Sequence, residues 1–243
     1  MKILNIKNLN PNPIADILAF CQDRLKNGQG AFLVPMNPIK VIKARSNTDF
    51  QQIIDSADWV FPDASGMRYA ASILHGQEIT TSAGYKVMFS LIEQAEQNNA
   101  SIYILGTEDD ILEVAKKKLL EKHPNLRIAG MHNGFFLAEQ EPAIFKEITE
   151  LRPDYIFVAM GEYKQEKVIE RLRKVYSRAI CMGVGGSIDL IGDRQPWPPA
   201  WVQKAGIEWL YRAVKQPFRI PRFKALPIFA ILVLKTRILG SKT

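Results

Sequence analysis

Histidine and cysteine are scarce in this chain. Its 243 residues hold three histidines and two cysteines. Histidines so few and so scattered build no His-rich metal centre, and no metal is expected. Cys21 and Cys181 lie in apolar surroundings without metal-ligand spacing, so they read as small core hydrophobes of a reducing compartment. No stretch reaches the roughly 18 uninterrupted apolar residues of a spanning helix. The N-terminal MKILNIKNLN lacks a long apolar run and a small-residue cleavage site, so no secretory leader is expected. Neither GxGxxG nor GxxxxGK(S/T) occurs, which argues against a nicotinamide oxidoreductase and a P-loop enzyme. No Ser-His-Asp order comes with a nucleophile elbow. Internal repeats and low-complexity segments are also missing.

What is present is an ordinary globular composition, 47% apolar and 23% charged, enough for a sizeable core. The length suits one large domain, or one domain with an appendage. The net charge of +7 is unevenly placed. From Lys204 to Thr243 nine Lys or Arg face one acid, Glu208; that balance of +8 leaves −1 for the other 203 residues. An anionic partner is therefore expected for the tail in particular.

Short apolar runs alternate with helical stretches. The runs Gly30 to Met36, Asp58 to Asp63, Ser101 to Gly106, Leu126 to Met131, Asp154 to Met160 and Ala179 to Val184 read as strands. Helices are expected through Ile39 to Ile42, from Ser65, from Gly84 to Asn98, after Thr107 as cap, after the HNGFF loop, and from about Tyr163. This alternation predicts an α/β fold: a Rossmann-like, largely parallel sheet with helices on both faces. Hydrophobicity that is continuous along each strand fits two covered faces. After GVGGSIDLIG the texture changes. DRQPWPPAW reads as a rigid loop, and Pro217, Pro221 and Pro227 are expected to break the basic, apolar remainder into short helical pieces. The division predicted is a core at 1–195 and an appendage at 196–243.

In such sheets ligands bind beyond the carboxyl ends of the strands, so PDASG, MGEYKQE and GVGGS matter most. Asp63 reads either as a general base or as a helix cap. GVGGS reads as a close backbone approach to a phosphate, through Gly185 and Gly186, or as a turn. Gln165 can offer donor and acceptor to a sugar. Glu166 fits either a site role or the helix dipole. Lys164 fits a phosphate or solvent. His132 and Asn133, in a strand-end loop, are ligand-contact candidates. In the tail, Arg212, Arg219 and Arg222 suit forked binding of phosphates. Beside them ALPIFAILVL (Ala225 to Leu234) suits either a membrane interface or docking on the protein's own core. Nucleic acid is not expected, because an apolar decamer does not track its backbone.

Together these stretches resemble the WecG/TagA/CpsF glycosyltransferases, which include N-acetylmannosaminyl and N-acetylmannosaminuronic acid transferases. The resemblance runs from about Phe32 to Arg222. It is carried by MGEYKQEKVIERLR, GVGGSIDLIGDRQPWPPAWVQKAGIEWLYR and KQPFR, with PDASGM like the family's PDG.G and NPIKVIKAR like its N....V..AR. It implies an inverting transfer from a UDP-sugar to a polyprenyl diphosphate-linked N-acetylglucosamine, without a cofactor or an obligatory metal. It implies a cytoplasmic enzyme, peripheral on the inner face of the membrane; a homo-oligomer is left open. Asp63 takes the position of the base, Gln165 that of a sugar contact, and Arg212, Arg219 and Arg222 those of diphosphate ligands. Asn37 belongs to the first motif. Two departures stand out. Pro35 replaces the threonine of a T.N motif, and TTSAGYK puts Thr81 and Lys86 where the family has the arginine and acid of RV.G.D. The altered TTSAGYK stretch motivates a rival reading, a catalytically silent member that binds UDP-sugar or lipid-linked glycan for a partner complex.

Overall fold

The computed structural model describes residues 1–199, 201–202, 208–215 and 220–240. Six parallel strands form one sheet: β1 (Ala31–Met36), β2 (Trp59–Pro62), β3 (Ser101–Gly106), β4 (Arg127–His132), β5 (Tyr155–Ala159) and β6 (Ile180–Gly183). Their order is β2-β1-β6-β5-β3-β4. The inner strands β1, β6, β5 and β3 are buried along their whole length, whereas edge strand β4 is partly open. Continuous apolar runs thus become central strands, as expected for a sheet covered twice.

Alternate residues of each strand feed two cores. Phe32, Val34 and Met36 of β1 enter one, and Ala31 and Leu33 the other. The first core is covered by α2 (Pro38–Arg45), α3 (Thr48–Asp55), α4 (Ser65–His75), α7 (Glu141–Leu151) and α8 (Lys164–Val175). The second is covered by α1 (Ile14–Lys26), α5 (Gly84–Gln97), α6 (Asp109–Lys122) and α9 (Ser187–Ile191). Helices α1 and α3 went unread in the sequence. The first buries Ile17 and Cys21, and the second is capped by Asn47, whose side chain accepts from the Phe50 N–H. Both cysteines are free and buried.

Beyond the sheet come α10 (Glu208–Lys215), α11 (Ile220–Phe223) and α12 (Ala225–Leu239). Three local expectations need correction. Thr107 does not cap α6: Glu108 is the N-cap residue, and the Thr107 hydroxyl donates to Asp189 Oδ1 at 2.6 Å. His132 is the last residue of β4 rather than part of the loop. Pro227 does not break the tail; it sits in the first turn of α12, where a missing N–H removes no intrahelical bond. Pro217 lies outside the described residues.

Candidate active site

A cleft of about 740 Å³ opens across the carboxyl ends of β2, β1, β6 and β5. Asp63, Pro35, Gly183 and Ala159 come from those four ends, α2 and α4 supply walls, and α11 and α12 supply a roof.

Asp63 follows β2 and is half-buried. Its N–H extends the ladder to the Met36 carbonyl at 2.7 Å. Helix α4 takes Ala64 as its N-cap residue, and Asp63 Oδ1 accepts the N–H of Gly84, first residue of α5, at 3.1 Å. Ala64 has φ 81° and ψ 151°, a region that suits glycine. The TTSAGYK stretch runs alongside, with the Ser82 N–H on the Pro62 carbonyl at 2.9 Å. Ala83, Gly84 and Tyr85 line the cleft. Thr81 and Lys86 flank them without lining it, and the Lys86 ammonium lies 6.0 Å from the centre of the Tyr85 ring.

The MGEYKQE segment turns tightly after β5. Gly161 has φ 82°, and Tyr163 has φ 76° and ψ −49°, the strained γ-turn region. Glu166 holds that turn, its Oε2 accepting the Tyr163 N–H at 2.6 Å. Its Oε1 accepts from Lys40 Nζ at 2.8 Å and from Gln165 Nε2 at 2.9 Å. Gln165 Oε1 in turn accepts the Gly185 N–H at 3.0 Å. Lys40 also donates to the Pro35 carbonyl at 2.9 Å. Lys40, Gln165 and Glu166 are only 3%, 1% and 1% exposed. Glu166 therefore does more than complement a helix dipole.

Asn37 caps α2, its Oδ1 accepting the Lys40 N–H at 2.9 Å, and it lines the cleft. In GVGGS, Gly183 has no room for a side chain: a Cβ would stand 2.4 Å from Gln165 Nε2. Gly185, at φ 53°, faces open space, and Gly186 is the N-cap residue of α9. Asp189 ties α9 to Thr107 and, through Oδ2, to Gln195 Nε2 at 3.0 Å.

The backbone of this cleft, from PDASG through MGEYKQE to GVGGS and the tail, runs nearly the length of the chain. The model of the glycosyl transferase WecG/TagA/CpsF family matches residues 1–243. The chain belongs to the WecG/TagA/CpsF glycosyltransferase family. Among curated relatives, the N-acetylglucosaminyldiphosphoundecaprenol N-acetyl-beta-D-mannosaminyltransferase of Bacillus subtilis (strain 168) is 28% identical over 233 residues, 96% of this chain and 90% of that protein. The protein of the same name from Staphylococcus aureus (strain MW2) is 31% identical over 206 residues, 85% of this chain and 80% of its own.

In this WecG/TagA/CpsF member the cleft gathers Asp63, Asn37, Gln165, Gly185, Gly186 and Arg222. It does not gather every predicted residue. The His132 ring turns to the Asn133 carbonyl, Nδ1 to oxygen 2.9 Å, and the Asn133 amide donates to the Asp109 carboxylate at 3.0 and 3.2 Å. Lys164 donates to the Gly134 carbonyl at 3.1 Å. These three brace the HNGFF loop beside the cleft and do not line it. Arg219 and the Arg212 side chain lie outside the described residues.

The apolar tail helix packs on the protein's own core through one face. Phe229 and Val233 are buried against α2 and α4, so α12 docks on the core. Its other face leaves Ile228, Ile231, Leu234 and Ile238 exposed. Among the described residues no helix is long and apolar enough to cross a membrane. A cavity of about 370 Å³ adjoins the cleft between α2 and α12; Lys43, Glu162 and Arg222 are among its lining.

Lys40 was missed by sequence reading. It stands in an ordinary-looking helix, and its acidic partner lies 126 residues away. No local pattern marks it.

Proposed function

We propose that this chain is a hexosyltransferase that moves an N-acetylmannosaminyl or related residue from a UDP-sugar to a polyprenyl diphosphate-linked N-acetylglucosamine, with inversion. The observation that carries the reading is the Asp63 carboxylate, fixed by Gly84 at the edge of a cleft that also presents the GVGGS backbone. Asp63 takes the proton from the acceptor hydroxyl as its oxygen bonds to the anomeric carbon. The bond from that carbon to the UDP oxygen breaks on the opposite side, and UDP leaves with the electron pair. Arg222 and the backbone N–H groups of the glycine loop offset its growing negative charge. The names of the relatives support a lipid-linked N-acetylglucosamine acceptor.

The appendage of 196–243 acts in this reading through α11 and α12, which roof the site and exclude water. The exposed isoleucines of α12 rest in the lipid interface, with Lys224, Lys235 and Arg237 near anionic headgroups. In this reading the enzyme is peripheral on the cytoplasmic face of the membrane, beside its acceptor.

A second reading is favoured by one observation. Thr81 and Lys86, which the resemblance sets against an arginine and an acid, do not line the cleft. A catalytically silent, ligand-binding member would look like this. A transfer assay separates the two. Synthetic polyprenyl diphosphate-linked N-acetylglucosamine is supplied with a panel of UDP-sugars, and products are read by mass spectrometry. A hexosylated lipid supports the transferase; UDP-sugar binding with no product across the panel supports the silent member.

A further inference from the structure

A buried ion pair sits beneath the cleft with no assigned role. Lys40 of α2 and Glu166 of α8 meet at 2.8 Å, both nearly inaccessible to water. Such a pair is a poor device for stability, because desolvation offsets most of its attraction. Its neighbours suggest what else it does. Glu166 Oε1 accepts from Gln165 Nε2, and Gln165 Oε1 accepts from the Gly185 N–H. A carboxamide has one donor end and one acceptor end. Turned over, Gln165 would set its oxygen against the Glu166 carboxylate and its NH₂ against the Gly185 N–H. Only one orientation satisfies both neighbours, and the charge on Glu166 selects it. Lys40 Nζ, 2.8 Å from Oε1, holds that carboxylate in place. A Cβ at Gly183 would stand 2.4 Å from Gln165 Nε2, so the start of the loop packs directly on the amide.

We infer that Lys40 and Glu166 are positioning residues of the transfer site, acting through Gln165 on the Gly183–Ser187 loop. The pair sets where the Gly185 N–H stands in the cleft. This rests on the reading of that loop as the contact for the donor's nucleotide.

The test compares wild type with K40M, E166Q and the double variant K40M/E166L. Lys40→Met alone leaves a carboxylate buried without its partner, so its melting temperature should fall. The double variant removes both charges and should recover part of that loss, while still forfeiting the Glu166 bond to the Tyr163 N–H. Stability is thereby separated from positioning. At a temperature where all are folded, amide exchange over residues 183–187 and calorimetric binding of UDP are measured. The expected result is Gly185 exchange about tenfold faster in the double variant, with UDP bound about tenfold more weakly, the scale of one lost buried hydrogen bond. Exchange and UDP affinity within about twofold of wild type in a stable double variant would assign the pair a purely structural role and overturn the inference. If the double variant does not fold, E166Q, which keeps the side-chain volume, is judged by the same two readouts. Should wild type bind no UDP, the nucleotide reading fails. Exchange alone then decides the relay: faster at Gly185 supports it, unchanged overturns it.

Discussion

Asp63 Oδ1 accepts the backbone N–H of Gly84 at 3.1 Å, joining the end of β2 to the start of α5 across 21 residues. The bond fixes the carboxylate at the cleft edge while leaving it further acceptor capacity. Asp63→Asn keeps an oxygen for Gly84 and removes the base. Transfer should fall by about 10²–10⁴, with melting temperature and UDP binding nearly unchanged. Steady-state rates, thermal melts and calorimetry check this; full activity in the variant would remove the base assignment.

The next residue holds strain. At φ 81° and ψ 151°, Ala64 occupies backbone space that costs a side-chain-bearing residue about 1–3 kcal/mol. Glycine relieves that at an entropic cost of about 0.5–1 kcal/mol. Ala64→Gly should therefore raise the denaturation midpoint. A lowered midpoint would contradict the strain.

Two glycines of one loop should behave differently. An added Cβ at Gly183 meets Gln165 Nε2 at 2.4 Å, inside a buried network. Gly183→Ala should cost about 1–3 kcal/mol by overpacking and weaken UDP binding. Gly185 has open space but φ 53°, so Gly185→Ala should cost about 1–2 kcal/mol of conformational energy without disturbing Gln165. Amide exchange of the Gln165 side chain distinguishes the two.

The two faces of α12 can be separated. Phe229 is buried, so Phe229→Ala should weaken docking by about 3 kcal/mol. Ile231 and Ile238 are exposed, so changing both to Ser should leave the melt unmoved while reducing cosedimentation with anionic vesicles. Unchanged vesicle binding would count against the interfacial reading.

Acid stability offers a check remote from the site. The Glu96 carboxyl is held below its usual 4.5, first by the hydrogen bond from His123 at 2.7 Å and then by the Asn125 N–H. A carboxyl depressed in the folded state contributes stability that is present above 4.5 and lost as pH falls through the depressed value. Glu96→Gln should flatten the fall in melting temperature below about pH 4.5. An equally steep fall in the variant would refute the assignment.

The sheet was legible because each inner strand is apolar on both faces, a pattern that needs no partner to be read. The strand ends followed from it, and with them Asp63, Gln165 and Gly185. Helix α1 was passed over because its buried stripe is short, only Ile17 and Cys21. Thr107 was misread as a cap because the competing acceptor, Asp189, lies 82 residues further on.

Periodicity and the glycine and proline positions were enough to mark the strands and most of the helices between them, since those patterns are local. They could not say which lysine is buried, which face of an apolar tail docks, or that Asp63 reaches the start of α5. Each of those outcomes depends on groups brought together from distant parts of the chain: Lys40 with Glu166, Phe229 with α2 and α4, and Asp63 with Gly84. Burial changes the energetics of a polar group only once the surrounding elements have closed over it, and that closure is a property of the packed whole.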